Sequence, residues 1–413
     1  MNLLYLFLLA LFFFRIPSIY FIPFWHSSFL TTQSLARIIF VFLFFYIFLV
    51  EKISIRSKKT LQISFLILLL FFLQSLSVIY TNNIFSFLTR YKDIFVGYTS
   101  FFLFYFYRRQ IRKILAILII ASICSIFYQV IMIFFQPLYN IFAYVFIYEK
   151  QVELSLINLN RGRIFLDSYD ESIIPLLFYI YLSQNNSSGK KIFFLLFISI
   201  SFLSFLSNWR IRILMLFAAW IGSCIYLFNK SKKFILTSSI GILGIGLFVY
   251  FIHQSILGFT FFDRLTLQDK NRDVETLLFR GVQFVRGIDE GISTSLGVGL
   301  GNYYDNLQFG EKLLPVSYNI ASKEGKYAQE YIHNIFFLYL AESGLYSLVV
   351  FMIMCILFVR NDLEILKGKS LLNKSLVISF WTLFSYSLFN PPVPASYQIL
   401  FWGLRGLLVE PEN

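Results

Sequence analysis

Long apolar runs, broken by short basic or polar stretches, recur along the whole chain. They fall near 3–25, 33–50, 60–80, 90–107, 111–136, 171–184, 192–207, 209–228, 234–256, 333–359, 370–389 and 394–410. A helix needs about 20 apolar residues to cross the roughly 30 Å hydrocarbon core of a bilayer. Most of these runs have that length. The sixth is short, and the first is interrupted by Pro17 and Pro23. Apolar character is continuous within each run and does not alternate, which argues for helices and against barrel strands. The pattern predicts an all-α, polytopic membrane protein with about twelve transmembrane helices.

Two intervals between runs are long, 137–170 and 257–332. The second holds eight Lys or Arg and ten Asp or Glu, and the run "LGVGLGNYY" with Gly297, Gly299 and Gly301. A connector of that length and mixture is read as a small subdomain of short helices. The predicted organisation is therefore 1–256 as N-terminal transmembrane helices, 257–332 as a large loop subdomain, and 333–413 as C-terminal transmembrane helices. No internal repeat or low-complexity linker stands out.

Charge orients the chain. Lys52, Arg56, Lys58 and Lys59 lie between the second and third runs, and Arg108, Arg109, Arg112 and Lys113 between the fourth and fifth. Lys190 and Lys191, then Lys230, Lys232 and Lys233, then Arg360, Lys367, Lys369 and Lys374 follow at the later even-numbered connections. The odd connections at 26–32 and 390–393 hold no Lys or Arg, and 81–93 holds Arg90 and Lys92. Lys and Arg collect in cytoplasmic loops. Both termini are therefore expected in the cytoplasm, with the two long intervals outside. The net charge of +13 belongs to this topology and calls for no nucleic-acid partner. Composition agrees: 58% of the 413 residues are hydrophobic, 53 are Phe, and the mean hydropathy is +0.72. A soluble chain this apolar could not cover its surface with polar groups. Cys124, Cys224 and Cys355 sit in apolar runs without metal-ligand spacing and are read as packing residues. The first run carries Arg15, Pro17 and Pro23 and no clear small-residue cleavage site, so no removable leader is expected.

Candidate chemistry then gathers at the expected outer helix ends. His26 and His253 are read as interface residues. His333 sits where the large loop enters the tenth run, at "YIHNIFFLYLAESGLYSLVVF", and an imidazole titrates near neutral pH. Asn334 beside it is suited to cap the helix or to orient a substrate hydroxyl. Glu342 lies nine residues on, about half a turn of the wheel away, so it forms no dyad with His333 on one face. It pairs with a neighbouring helix or acts in catalysis, since an unpaired carboxylate is costly there. "FLSNWRIRILML" places Arg210 and Arg212 at the start of the eighth run, facing different sides. "LLFRGVQFVRG" holds Arg280 and Arg286, and "NLNRGRIFLDSYDE" holds Arg161 and Arg163 with Asp167, Asp170 and Glu171. Arginine suits phosphate through its fixed fork of donors. As a set, these arginines near one histidine suggest a phosphorylated lipid headgroup. There is no GxxxxGK[ST] phosphate loop, and no DxD triplet for a nucleotide sugar and metal. Gly297, Gly299 and Gly301 follow no strand–helix unit that would make a dinucleotide site. No metal and no cofactor is expected.

"SNWR" before the eighth run, "RGVQFVRG" and "SLGVGLGNYYDNL" in the large loop, and "HNIFFLYLAESGLYSL" opening the tenth occur in that order. In this order and spacing the chain resembles the O-antigen polymerase and O-antigen ligase superfamily of membrane glycosyltransferases, best over 205–350. "NRGRIFLDSYD" is loosely similar to a basic patch of that family. The resemblance implies an all-helical enzyme of the bacterial inner membrane, with its site facing the periplasm. Its donor would be a glycan on undecaprenyl diphosphate, and a chain-length regulator protein is an implied partner. Carried over by position, Arg210, Arg280 and His333 would be catalytic. Arg163, Arg212, Arg286, Asn334 and Glu342 would bind substrate. Ile211 and Arg212 replace the family's small residues after the first arginine, which leaves open which arginine of "WRIR" meets diphosphate.

The resemblance implies metal-independent, inverting transfer. Arginines would stabilise the departing diphosphate, and His333 would take the proton of the attacking hydroxyl. The first reading is a polymerase that joins lipid-linked repeat units. The second is a ligase that moves finished glycan to lipid A core or another acceptor. A polysaccharide or lipid transporter would instead show inverted repeats and charges near mid-bilayer. A cell-wall glycan polymerase with a catalytic Asp is a further alternative, with Asp289 and Asp305 as its candidates.

Overall fold

The computed structural model describes residues 3–16, 18–20, 31–51, 57–135, 137, 140–141, 145, 169–184, 187–207, 209–228, 232–257, 280–281, 283–285, 287–292, 294–302, 332–390 and 392–408. Among them the protein is helical and has no strand; Tyr20 and Thr31 form one isolated bridge. The helices are α1 Leu3–Arg15, α2 Thr32–Tyr46, α3 Lys58–Leu76, α4 Ile84–Tyr107, α5 Ile111–Phe134 and α6 Ile174–Ser183. They continue with α7 Ser187–Leu206, α8 Arg210–Tyr226, α9 Lys232–Leu257, α10 Ile335–Lys367, α11 Leu371–Ser387 and α12 Ala395–Leu408.

A helix overlies each of the twelve apolar runs. Five stretches, Thr32–Glu51, Lys58–Tyr80, Ile84–Ile131, Lys232–Ile252 and Ile335–Lys367, are long and apolar enough to cross a membrane by length and composition. The Ile84–Ile131 stretch contains the tight turn Arg108–Gln110 that separates α4 from α5. Exposed apolar stripes at helical spacing agree with embedding: Ile38, Phe42 and Phe45 on α2, Leu61, Phe65, Leu68 and Phe72 on α3, and Leu236, Ile240, Leu243 and Leu247 on α9. Rows of exposed Phe and Leu have no aqueous solvent to favour them. The protein is a membrane-embedded, all-helical bundle.

α12 lies at the centre, and every residue from Tyr397 to Leu408 is buried. It runs closely along α4. Gly403 faces the Phe104 ring and Gly406 meets the Phe101 carbonyl; a Cβ added at either would collide with its neighbour. Small residues are what let two backbones approach in a bundle without water to drive them together.

Two element boundaries differ from the pattern. α1 ends at Arg15, short of residue 25, because Pro17 follows and bars helix extension. The sixth run begins as a tight turn at Asp170–Ile173 before α6 starts, with Pro175 in its first turn, where proline is tolerated.

One end of the bundle collects the polar side chains that matter below. Arg15 ends α1, Asp170 and Glu171 precede α6, Ser204 and Ser207 close α7, and Arg210 and Arg212 open α8. The end of α11 joins them, since Tyr386 packs on Trp209, Tyr169 and Tyr397. The start of α10 is tied to the same place, because Asn334 donates to the Leu388 carbonyl at 3.1 Å. At the opposite end, Arg405 makes two bonds to Asp362 at 2.6 and 2.8 Å and lies against the Phe358 and Phe380 rings.

Candidate active site at one end of the bundle

Two polar assemblies form at the end shared by α8 and α10. The first is built around two consecutive carboxylates. Asp170 accepts from Arg15 Nη2 at 2.6 Å, Ser125 Oγ at 2.8 Å and Gln129 Nε2 at 3.3 Å. Glu171 accepts from Arg212 Nε and Ser204 Oγ, both at 2.6 Å. Arg212 Nη1 reaches Gln129 Oε1 at 3.4 Å and joins the halves. All seven residues are buried, and the two arginines balance the two carboxylates. The network draws on α1, α5, α7, α8 and the turn before α6. Paired and hydrogen-bonded charges of this kind are tolerated where a lone one is not.

Arg212 and Arg210 separate clearly. One helical step of two residues turns Arg212 inward to Glu171, whereas Arg210 is only half-buried at the first position of α8. Trp209 before it packs edge-on to Tyr386.

The second assembly carries the histidine. Asn334 caps α10: its Oδ1 accepts from Phe336 N at 2.9 Å and Phe337 N at 3.4 Å. This fixes His333 just before the first turn. Its Nδ1 lies 2.9 Å from Gln283 Oε1. An amide oxygen only accepts, so a neutral His333 ring carries its proton on Nδ1 and its lone pair on Nε2. Arg280 lies three positions before Gln283 in the large loop. Gln283 thus ties His333 to the part of the loop that carries Arg280. Arg210 stands at the same end, linked through Trp209, Tyr386 and the Leu388 carbonyl that Asn334 binds.

Glu342 is buried and turned away from that group. Its Oε2 is 3.4 Å from Arg90 Nε, and its Oε1 accepts from Gly301 N at 3.0 Å. Here α10 is broken. Gly344 has φ 78° and ψ −178°, outside the helical region and open to glycine almost alone. The break frees the carbonyls of Ala341 and Glu342, which accept from Val298 N at 2.9 Å and Gly299 N at 3.1 Å. The glycine run of the large loop thus docks onto the broken helix. Gly297, Gly299 and Gly301 all have positive φ, and a Cβ on Gly297 would stand 2.5 Å from the Ala341 carbonyl.

Of the remaining sequence candidates, Arg163 and Arg286 lie outside the described residues, as do His26, Asp305 and most of 137–168 and 257–332. The His253 side chain lies outside the description as well, although its backbone belongs to α9. Among the described residues no group of three or more His, Cys, Asp or Glu stands in reach of a common metal. Sequence reasoning missed Gln283, Arg90 and Arg15. Gln283 carried no signal of its own. Arg15 and Arg90 did, as cations set in or beside apolar runs.

No family model matches the chain, and neither a curated protein nor a solved structure matches it.

Proposed function

We propose that this protein is an O-antigen-type polymerase of the bacterial inner membrane, joining glycan repeat units carried on undecaprenyl diphosphate at the periplasmic face. In this reading the twelve helical segments all cross the membrane, both termini are cytoplasmic, and 257–332 is periplasmic. The observation that supports it is the tie of the His333–Asn334 helix start to Gln283 of the large loop and to the end of α11, against which Trp209 packs beside Arg210. The ordered motifs between 205 and 350 supply the chemistry.

The reaction follows from those groups. A hydroxyl of the acceptor sugar loses its proton to His333 Nε2, while Gln283 holds the ring through Nδ1. The oxygen forms a bond to the donor's anomeric carbon from the face opposite the diphosphate. The carbon–oxygen bond to diphosphate breaks, and undecaprenyl diphosphate departs. Charge grows on that leaving group, and in this reading Arg210 and Arg280 are the cations that meet it. Arg212, held on Glu171, sets the start of α8 that presents Arg210.

The test is surface glycan on cells lacking the protein, complemented at matched membrane levels with wild type, His333→Ala or Arg210→Ala. A polymerase gives long chains with wild type and single repeat units with either variant. Long chains stranded on the lipid carrier in the deletion would make it a ligase. Normal glycan with both variants would remove the mechanism and return the transporter reading.

A further inference from the structure

The glycine loop and the broken helix form a joint that the proposed chemistry does not use directly. Residues 335–343 are a separate half-helix, cut from the rest of α10 by the Gly344 turn, and they begin at the His333–Asn334 cap. Two backbone bonds and one side-chain bond hold the loop 297–301 to the far end of that half-helix: Val298 N to Ala341 O, Gly299 N to Glu342 O and Gly301 N to Glu342 Oε1. The other side of the loop rests on the start of α4, where Asn302 Oδ1 accepts from Asn83 N at 2.7 Å and its amide donates to Asn83 O at 3.3 Å. Arg90, about two turns further along α4, closes the joint. Its Nε faces Glu342, and its Nη1 donates to the Val393 carbonyl at 3.0 Å, in the turn between α11 and α12.

We propose that Arg90 is a positioning residue that, through Glu342, locks the glycine loop and the His333 half-helix to α4 and to the α11–α12 turn. Four elements meet at this one guanidinium, and Arg90 and Glu342 are both buried. A buried carboxylate that has lost its cation is driven to seek another or to take up a proton. Either change alters its bond to Gly301. Gly344 supplies the pivot: its backbone lies outside the helix, so the half-helix is not tied to the lower helix by continuous i to i−4 bonds. The other end of the half-helix is held by the Asn334 cap contacts, by the His333–Gln283 pair and by Phe337 stacked on Phe284 of the same loop region. Movement of the joint therefore reaches His333. The role given to His333 rests on the glycosyl-transfer reading; the joint itself does not.

The experiment measures modification of each histidine by diethyl pyrocarbonate in the full-length protein in detergent, by mass spectrometry, alongside glycan display on cells. His26 and His253 serve as internal references. Arg90→Gln and Glu342→Gln are each expected to change the His333 rate at least five-fold, with the other two histidines within two-fold of wild type. Arg90→Lys, which keeps the cation, is expected to stay within two-fold at all three. Both Gln variants are also expected to shorten surface glycan. Glu342→Gln is isosteric and keeps an acceptor for Gly301, so it carries the test if Arg90→Gln does not accumulate. An unchanged His333 rate in Glu342→Gln, or equal changes at all three histidines, overturns the proposal. Normal glycan with a changed His333 rate leaves the joint standing and overturns the glycosyl-transfer reading instead.

Discussion

Single residues divide by what their charge meets. Arg210 and Arg212 are two positions apart, yet Arg212 ends in a buried pair with Glu171 while Arg210 stays half-buried. Removing one member of a buried pair leaves the other uncompensated, at a cost of about 3–5 kcal/mol. Arg212→Ala is therefore expected to lower the Tm of the purified protein sharply, and Glu171→Gln to do so less, since an amide still accepts from Arg212 and Ser204. Arg210→Ala is expected to lower the Tm less than Arg212→Ala does while abolishing chain growth. Equal Tm losses for the two arginine variants would contradict this division. At His333, loss of a general base typically costs about 10²–10⁴ in rate, so His333→Ala is expected to leave single repeat units on the surface even at high expression. The candidates themselves were legible in the sequence, because cations and a histidine at apolar helix ends are conspicuous. Their partners were not. Arg90 and Glu342 are separated by 252 residues and Arg15 and Asp170 by 155, and nothing local encodes such pairings.

Helices were the most legible elements, since run length alone marks them. What happens inside them was not. "LAESGLYSL" reads as unbroken apolar helix, because glycine is common in membrane helices and carries no breaking signal by itself. The break at Gly344 exists because the loop 297–301 supplies donors for the carbonyls it frees, and that loop comes from a distant part of the chain. Its glycines are required by geometry. Gly297→Ala adds a Cβ against the Ala341 carbonyl at a positive φ, and Gly344→Ala forces a residue into a region reserved for glycine. Each is expected to cost about 1–3 kcal/mol, read as a lower Tm, with Gly244→Ala, at a helical position with open space around it, as an unaffected control. Asn334→Ala removes the cap of α10 and its tie to Leu388, and is expected to cost about 1 kcal/mol. A Gly344→Ala protein as stable as wild type would mean that α10 tolerates continuous helix there.

Among the described residues, apolar stripes face outward and four of the ion pairs, Arg15–Asp170, Arg90–Glu342, Arg212–Glu171 and Arg405–Asp362, are buried, which is the arrangement a bilayer favours. The paired charges concentrate at two ends. One holds Asp362 with Arg405 near the basic Lys367 and Lys369, the other holds the Asp170, Glu171 and His333 assemblies. In the proposed topology the first end faces the cytoplasm, as the positive-inside rule favours. Reporter fusions at residue 230 and at the C-terminus are expected to read as cytoplasmic, and one within 257–280 as external; an external C-terminus would invert the account. The proposed reaction joins glycans without a metal. Its most direct measurement uses the purified protein in vesicles with lipid extracted from the deletion strain, in excess chelator, with products separated by length. The account predicts a ladder of repeat units on undecaprenyl diphosphate that His333→Ala does not make. Lipid-linked units that stay single with the wild-type protein, or a ladder that appears only when divalent metal is restored, would contradict it.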